Sequence, residues 1–254
     1  MKVFVSCVSQ KHGPIVANIS DVKEKTLSKT FEVWKTLTLP GTKPSRDVYK
    51  GTQWNLIKQL DNLTSTYVVS GGYGVIDLNT PIVSYAITLS SAYIENQHLM
   101  IPTFNENQKE TNKLWWNMFG DFSHLWNTEE VCIFTVNPEY LSVLNLPERD
   151  NIIILSDYRL GMLAKWLKSG VNNVAVNFAL YLAKNHPNLS GKQELDTIYN
   201  KLVSKHGQPV YEKRPRVEDT FIIDWIKEGK NLDQLRDKGY ACSNQRFRTL
   251  KESV

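Results

Sequence analysis

Five short runs of β-branched, aliphatic and aromatic residues punctuate the chain: VFVSCV (3–8), TYVVS (66–70), VCIFTV (131–136), NIIILS (151–156) and NVAVNF (173–178). Each is nearly continuous in apolar character, as in parallel strands covered on both faces. The stretches between them, 45–62, 105–118, 138–145 and 158–169, have the length and composition of helices. Alternating strand and helix predicts an α/β fold, a layered and mainly parallel sheet with flanking helices. In such folds ligands sit at the carboxyl ends of the strands. Four of the five runs end in polar residues or glycine: Ser9-Gln10-Lys11, Ser70-Gly71-Gly72-Tyr73, Asn137, and Ser156-Asp157-Tyr158-Arg159.

The pattern changes after residue 185. Residues 186–214 read as a linker, with a helical turn or two over 195–203 and two prolines inside the charged run GQPVYEKRPRVED. Three short helical pieces follow, 219–228, 231–238 and 243–252, separated at Gly229 and Gly239, with Asp219 and Ser243 as predicted N-caps. Ile222, Ile223, Ile226, Leu232, Leu235, Phe247 and Leu250 would form their shared core. The second and third pieces resemble a helix-turn-helix whose last helix starts at Ser243, Asn244 and Gln245 and turns Arg246, Arg248 and Lys251 outward toward DNA. A compact three-helix cap with a charged surface gives the same pattern, so a purely structural or protein-binding reading stands beside it. The predicted organisation is an α/β domain over 1–185, a linker over 186–214 and a basic three-helix DNA-binding element over 215–254.

Composition narrows this picture. With 254 residues, 41% of them hydrophobic, the chain can bury a sizeable core. It holds no apolar run of membrane-spanning length and opens without the apolar region of a signal peptide, so a soluble cytoplasmic protein with no membrane partner is expected. Cys7, Cys132 and Cys242 are odd in number and lie in no CxxC or His/Cys cluster, which predicts reduced thiols rather than disulfides or structural zinc. Net charge is +4, and the excess is local: residues from Asn200 onward carry 12 Lys/Arg against 8 Asp/Glu, the preceding ones 18 of each. An acidic polymer, if one is bound, would bind at that end, and a solvated polar tail gives the same charge distribution.

No dinucleotide fingerprint, P-loop, nucleophile elbow or zinc-protease motif is present, and the five histidines are scattered. No metal or organic cofactor is expected. Three polar clusters remain: SCVSQK (6–11), SRDVYKG (45–51) and VVSGGYGVIDLNTPIVSYAITL (68–89). In this order they resemble the DUF6884 family of bacterial and phage proteins, in which a strand ending in a small residue and lysine precedes a helix start and a glycine-tyrosine block. DVYKG followed by SGGYGVID is also similar to the YaaA family of peroxide-stress, DNA-associated proteins. IIILSDYRLGMLAKWLKSGVNNVAVNF resembles the closing strand-helix-strand of the same domain. The resemblance covers residues 1–185, apart from an insertion at 90–130. It departs from the family pattern at Ser45, at Gly72 and in NFALYLAKN.

The resemblance implies a base-handling, DNA-associated protein, and the clusters suit that chemistry. A flipped base needs aromatic faces, for which Tyr49, Tyr73 and Tyr85 are candidates. It also needs edge hydrogen bonds, for which Ser9, Ser70 and the amides of Gly71, Gly72 and Gly74 would serve. Glycosidic cleavage needs a carboxylate, supplied by Asp47 beside Arg46 or by Asp77. Lys11 or Arg159, with Asp157 nearby, would hold a flanking phosphate. The structural alternatives are equally concrete: Asp47 as a helix cap, Asp77 holding the turn DLNTP, the tyrosines as core. In the insertion, Trp115, Phe119, Phe122 and Trp126 share a helical face and read as a core stripe, which leaves Trp116 as the predicted wedge or stacking platform for DNA. The leading expectation is a DNA glycosylase-like enzyme that flips a base, a modified one by preference, out of double-stranded DNA and excises it. An anti-phage role follows from the resemblance. The alternatives are a DNA-binding stress protein without activity and an enzyme acting on free nucleosides or nucleotides.

Overall fold

A computed structural model describes residues 1–22, 24–39, 41–90, 98–104, 107–170, 173–207 and 217–252. The chain divides into two compact units, 1–208 and 209–254. In the larger unit the strands are β1 (Lys2–Ser6), β2 (Ala17–Asn18), β3 (Lys43–Pro44), β4 (Ser65–Ser70), β5 (Gly74–Asp77), β6 (Pro81–Ile82), β7 (Tyr85–Ala86), β8 (Cys132–Thr135) and β9 (Ile152–Ile154). Five of them form one sheet in the order β5-β4-β1-β8-β9, parallel except for the edge strand β5. The predicted mixed α/β architecture with a mainly parallel sheet is the architecture observed.

β1 is central because its residues are apolar on both faces: Val3, Phe4 and Val5 are fully buried. In register, Phe4 lies between Tyr67 of β4 and Phe134 of β8. The three rings stack in a row with centroids 5.2 and 4.4 Å apart, and Trp126 meets Phe4 and Phe134 edge-on. The chain leaves β1 to build β4 on one side and later returns to build β8 on the other. The strand order therefore reverses next to β1, which in an open parallel sheet marks a crevice at the carboxyl ends.

The helices of this unit are α1 (Leu27–Thr38), α2 (Ser45–Val48), α3 (Thr52–Asp61), α4 (Gln108–Asn117), α5 (Pro138–Leu141), α6 (Val174–Asn185) and α7 (Lys192–His206). Several depart from the predicted elements. The helix expected over 45–62 breaks at Gly51, whose φ of 109° lies outside the helical region and which N-caps α3. The run at 173–178, read as a strand, is the start of α6. Its apolar run continues to Ala183 and is buried on several sides, a case in which a buried helix and a buried strand share one composition. The helix expected over 158–169 is a short 3₁₀ turn at Leu160–Leu163 followed by further turns, with Lys168 at φ 50°. Within the stretch read as linker, α7 is a regular helix that buries Leu195 and Leu202. It packs on the Leu160–Leu163 turn, which in turn packs on α6. Of that stretch, residues 208–214 lie outside the described residues.

The turn that joins β4 to β5, residues 70–74, is a packed corner. Trp34 of α1 donates its indole N–H to the Gly72 carbonyl at 2.9 Å, and Trp115 of α4 donates to the Gly71 carbonyl at 2.8 Å. A Cβ at Gly72 would come within 2.9 Å of the Tyr85 ring and 3.0 Å of Trp34, and Gly74, at φ 71°, has Phe122 against it. The segment around α4 thus belongs to the core: Trp115, Trp116 and Trp126 are all buried. α4 ends at Asn117, so Phe119, Phe122 and Trp126 reach that core from the following turns and not from one helical stripe.

The smaller unit contains α8 (Asp219–Lys227), α9 (Leu232–Asp237) and α10 (Asn244–Glu252), close to the three predicted pieces. Ile222, Leu235 and Phe247 are its buried core, flanked by Ile226, Leu232 and Leu250. Ser243 accepts a bond from the Arg246 amide, as an N-cap does. Glu218, not Asp219, occupies the cap position of α8 and makes no side-chain cap bond there, while Asp219 binds Arg246. Asn231 and Gln234 form a reciprocal capping box at α9.

Because Leu195 is fully buried on α7, Leu195→Ala should cost about 2–5 kcal/mol in urea denaturation. A change below about 0.5 kcal/mol would restore the linker reading of this segment.

Candidate functional site

The three polar clusters meet at the carboxyl ends of β1 and β4. Directly after β1 the chain is tied to the segment around α2: Lys11 bridges to Tyr49, the His12 amide donates to the Val48 carbonyl, and the Lys50 amide donates to the Gln10 carbonyl. α2 is pinned in turn to the turn after β5, since Ser45 Oγ donates to the Asp77 carbonyl and the Arg46 amide to that of Leu78. Trp54 of α3 supports this segment from below, donating to the Arg46 carbonyl at 2.9 Å and packing on the Tyr49 ring at 4.7 Å.

Inside this junction lies a chain of hydroxyls. Tyr49 Oη and Tyr85 Oη are 2.5 Å apart, Ser70 Oγ is 2.6 Å from Tyr85 Oη, and the Gly72 amide donates to Ser70 Oγ. All three side chains are fully buried. Burial pushes both phenols well above the ordinary tyrosine range, and the neighbouring Cys7 adds to the shift. These groups therefore act as neutral donors and acceptors.

Lys11 covers this network. Its Nζ lies 4.3 Å from the Tyr85 ring centroid and 5.5 Å from that of Tyr49, with the carbonyls of Val8 and Ser9 each at 3.3 Å. Burial lowers its pKa, opposed by Cys7. On the β8 side of β1, Asn137 donates its amide to Ser6 Oγ, and Cys7 Sγ lies 3.7 Å from Tyr140 Oη. The last contact spans the place where the strand order reverses. Burial also pushes Tyr140 well up. Cys7, expected only as a reduced thiol, and Tyr140 were not among the candidate site residues. The available signal was position: Cys7 is the first residue after β1, where a parallel sheet presents its edge.

Other expected residues take different places. Tyr73 is half-buried, with its Oη donating to the Thr38 carbonyl and accepting from the Val83 amide. Burial pushes its pKa up to about 12, and its ring packs edge-on against Tyr85. The glycine loop that was expected to cradle a base is thus a buried corner, with the Gly71 and Gly72 carbonyls already engaged by indoles. Asp77 is exposed, and its Oδ1 accepts from the Asn79 and Thr80 amides, holding the DLNTP turn. Asp47 is exposed and makes no hydrogen bond or ion pair among the described residues. Arg46 faces Asp61 at 4.0 Å, and Ser9 is exposed.

Asp157 and Arg159 are exposed at the end of β9, and Tyr158 between them donates to Asp196 of α7. Among the described residues, no hydrogen bond, ion pair or ring contact joins this group to Lys11. Trp116, the expected wedge, is only 3% exposed, packs on Phe119 and Phe122, and lines a cleft of about 340 Å³ with Trp126 and Leu144.

In the smaller unit Arg246 is held by Asp219 and the Val217 carbonyl, and Arg248 binds Glu252 at 2.9 Å, while Lys251 is exposed. The side chains of Asn244 and Gln245 lie outside the described ones. Residues 217–252 carry seven Lys/Arg and seven Asp/Glu, so the three helices are electrically neutral. The excess positive charge read from the sequence belongs to residues 201–216, with Lys201, Lys205, Lys213, Arg214 and Arg216 against Glu212. Among the described residues, no helix is long and apolar enough to cross a membrane.

In comparisons with protein-family models, curated proteins and solved structures, none matches this chain, so the residues at the carboxyl edge of the sheet carry the functional reading by themselves.

Proposed function

We propose that the protein handles nucleobases on DNA and cleaves the N-glycosidic bond of an extruded base. The observation that carries this reading is the group at the carboxyl ends of β1 and β4: a partly buried lysine over two buried tyrosines and a serine, bordered by an exposed segment with an unpaired carboxylate. Such a group supplies a cation for a phosphate, neutral hydroxyl chemistry and a carboxylate for the cationic sugar that develops as the base leaves. Between the two aspartates, the hydrogen bonds of Asp77 favour Asp47 in this reading. Asp77 is committed to its turn, whereas Asp47 lies beside Val48, whose carbonyl holds the loop after Lys11. Asp47 is therefore assigned the carboxylate role, and a DUF6884- or YaaA-like ancestry accords with this use of the fold.

In this reading the smaller unit is a helix-turn-helix-like element, but it does not supply the electrostatic affinity. That falls to residues 201–216, where the positive excess lies. A second reading, DNA binding without chemistry, draws on the same basic stretch.

The direct test is mass spectrometry of bases released from modified and unmodified duplex DNA. Asp47→Asn should lower release by about 10²–10⁴-fold with DNA affinity and melting temperature retained. Unchanged release from this variant removes Asp47 from the chemistry, and no release by the wild-type protein from any duplex favours the binding-only reading.

Replacing Lys213, Arg214 and Arg216 together by alanine should lower the salt slope of DNA affinity by roughly three, as three lost phosphate contacts would. The same measurement after deletion of residues 217–252 should show the smaller change in slope. The reverse ranking would return the electrostatic role to the three helices.

A further inference from the structure

Lys11 differs from an ordinary surface lysine in two respects. Its side chain folds back onto the Tyr49 and Tyr85 rings instead of extending into water, and no carboxylate lies within ion-pair distance of its Nζ among the described residues. Lysines on a surface keep their charged end in water, and lysines taken out of water are normally paired. Here the Nζ rests on two ring faces and two backbone carbonyls at 3.3 Å, at the end of a parallel strand, and the residue remains partly exposed. An amine held at a strand's carboxyl edge with no salt bridge to break has only ring and carbonyl contacts to leave before it acts as a nucleophile.

We propose that Lys11 is an imine-forming nucleophile, and that the protein cuts the DNA strand at the abasic sugar left after base removal. This rests on the base-excision reading above. The Lys11 amine adds its lone pair to C1′ of the ring-opened sugar aldehyde, and the resulting carbinolamine loses water to give an imine. A proton then passes from C2′ to solvent, the C2′–H electron pair forms the C2′–C3′ double bond, and the C3′–O bond breaks with its own electron pair leaving on the phosphate oxygen. Water hydrolyses the imine and returns the free amine. The sequence needs neither oxidant nor reductant. Burial, which disfavours the ammonium form, increases the share of neutral amine available near neutral pH.

The test uses the full chain, a duplex with one preformed abasic site, and sodium cyanoborohydride, which reduces an imine to a stable secondary amine. A parallel sample replaces the duplex with 2-deoxyribose 5-phosphate, so that amine reactivity is read without any need for DNA affinity. Both samples should yield a covalent adduct that peptide mass spectrometry maps to Lys11. Adduct yield should rise with pH to a midpoint below the usual lysine value of 10.5. Lys11→Arg, which keeps the charge and cannot form an imine, should lose both the adduct and strand cleavage while retaining the wild-type melting temperature. Lys11→Met provides the same check without the charge.

An adduct at Lys11 from the sugar but not from the duplex would keep the nucleophile and overturn strand cleavage. Adducts at exposed lysines in preference to Lys11, or none from either sample, would overturn the proposal. Failure of base release with trapping at Lys11 intact would instead count against the excision reading alone.

Discussion

Everything at the candidate site depends on the parallel pairing of β1 with a strand on each side. Lys2 to Ser6 pair in register with Ser65 to Val69, and Lys2 to Val5 with Cys132 to Thr135. Three carboxyl ends are thereby placed at one edge. Since β4 and β8 are reached by separate excursions of the chain, the connections diverge there and leave the polar groups of the strand ends facing one another. Ser6 and Cys7 bind across to Asn137 and Tyr140 on the β8 side, while Lys11 reaches Tyr49 and Tyr85 on the β4 side. A residue change that moved β1 by one position would send its buried Val3, Phe4 and Val5 to the wrong faces and dismantle this edge.

The second constraint is aromatic. Trp34 and Trp115 each have one indole N–H to satisfy inside the core, and the Gly72 and Gly71 carbonyls satisfy them. Glycine is required at position 72 because the Trp34 indole and the Tyr85 ring approach closer than a Cβ there would allow. In fixing that corner the two tryptophans also fix Ser70 and Tyr85, and through them the hydroxyl chain beneath Lys11. Helix α4, which carries Trp115, is thus part of what shapes the site, although it is remote from it in sequence.

Much of this was legible in the chain. The apolar runs at 3–8, 66–70, 131–136 and 151–156 mark sheet strands, and the polar residues that follow them mark the edge where Lys11, Tyr49, Ser70 and Tyr85 meet. The apolar run at 173–178 misled because a helix buried on several sides lacks the clean periodicity of an amphipathic one. Helix α7 was hidden by charge: of fifteen residues only Leu195 and Leu202 are buried, too few for a strong pattern. That Asp77, unlike Asp47, is tied into its own turn could not be read from spacing, because it depends on which carboxylate the backbone amides of the next residues capture. The neutrality of the three C-terminal helices was available from sequence, but only once their boundaries were known.

The central proposal is that the carboxyl edge of β1 and β4 is a surface that meets DNA. It is tested most directly by amide hydrogen exchange with and without a duplex bearing a stable, unreactive abasic-site analogue. The account expects added protection at residues 7–12 and 45–51, together with the basic stretch 201–216. Protection confined to the three C-terminal helices, or to the cleft beside Trp116 and Trp126, would contradict it.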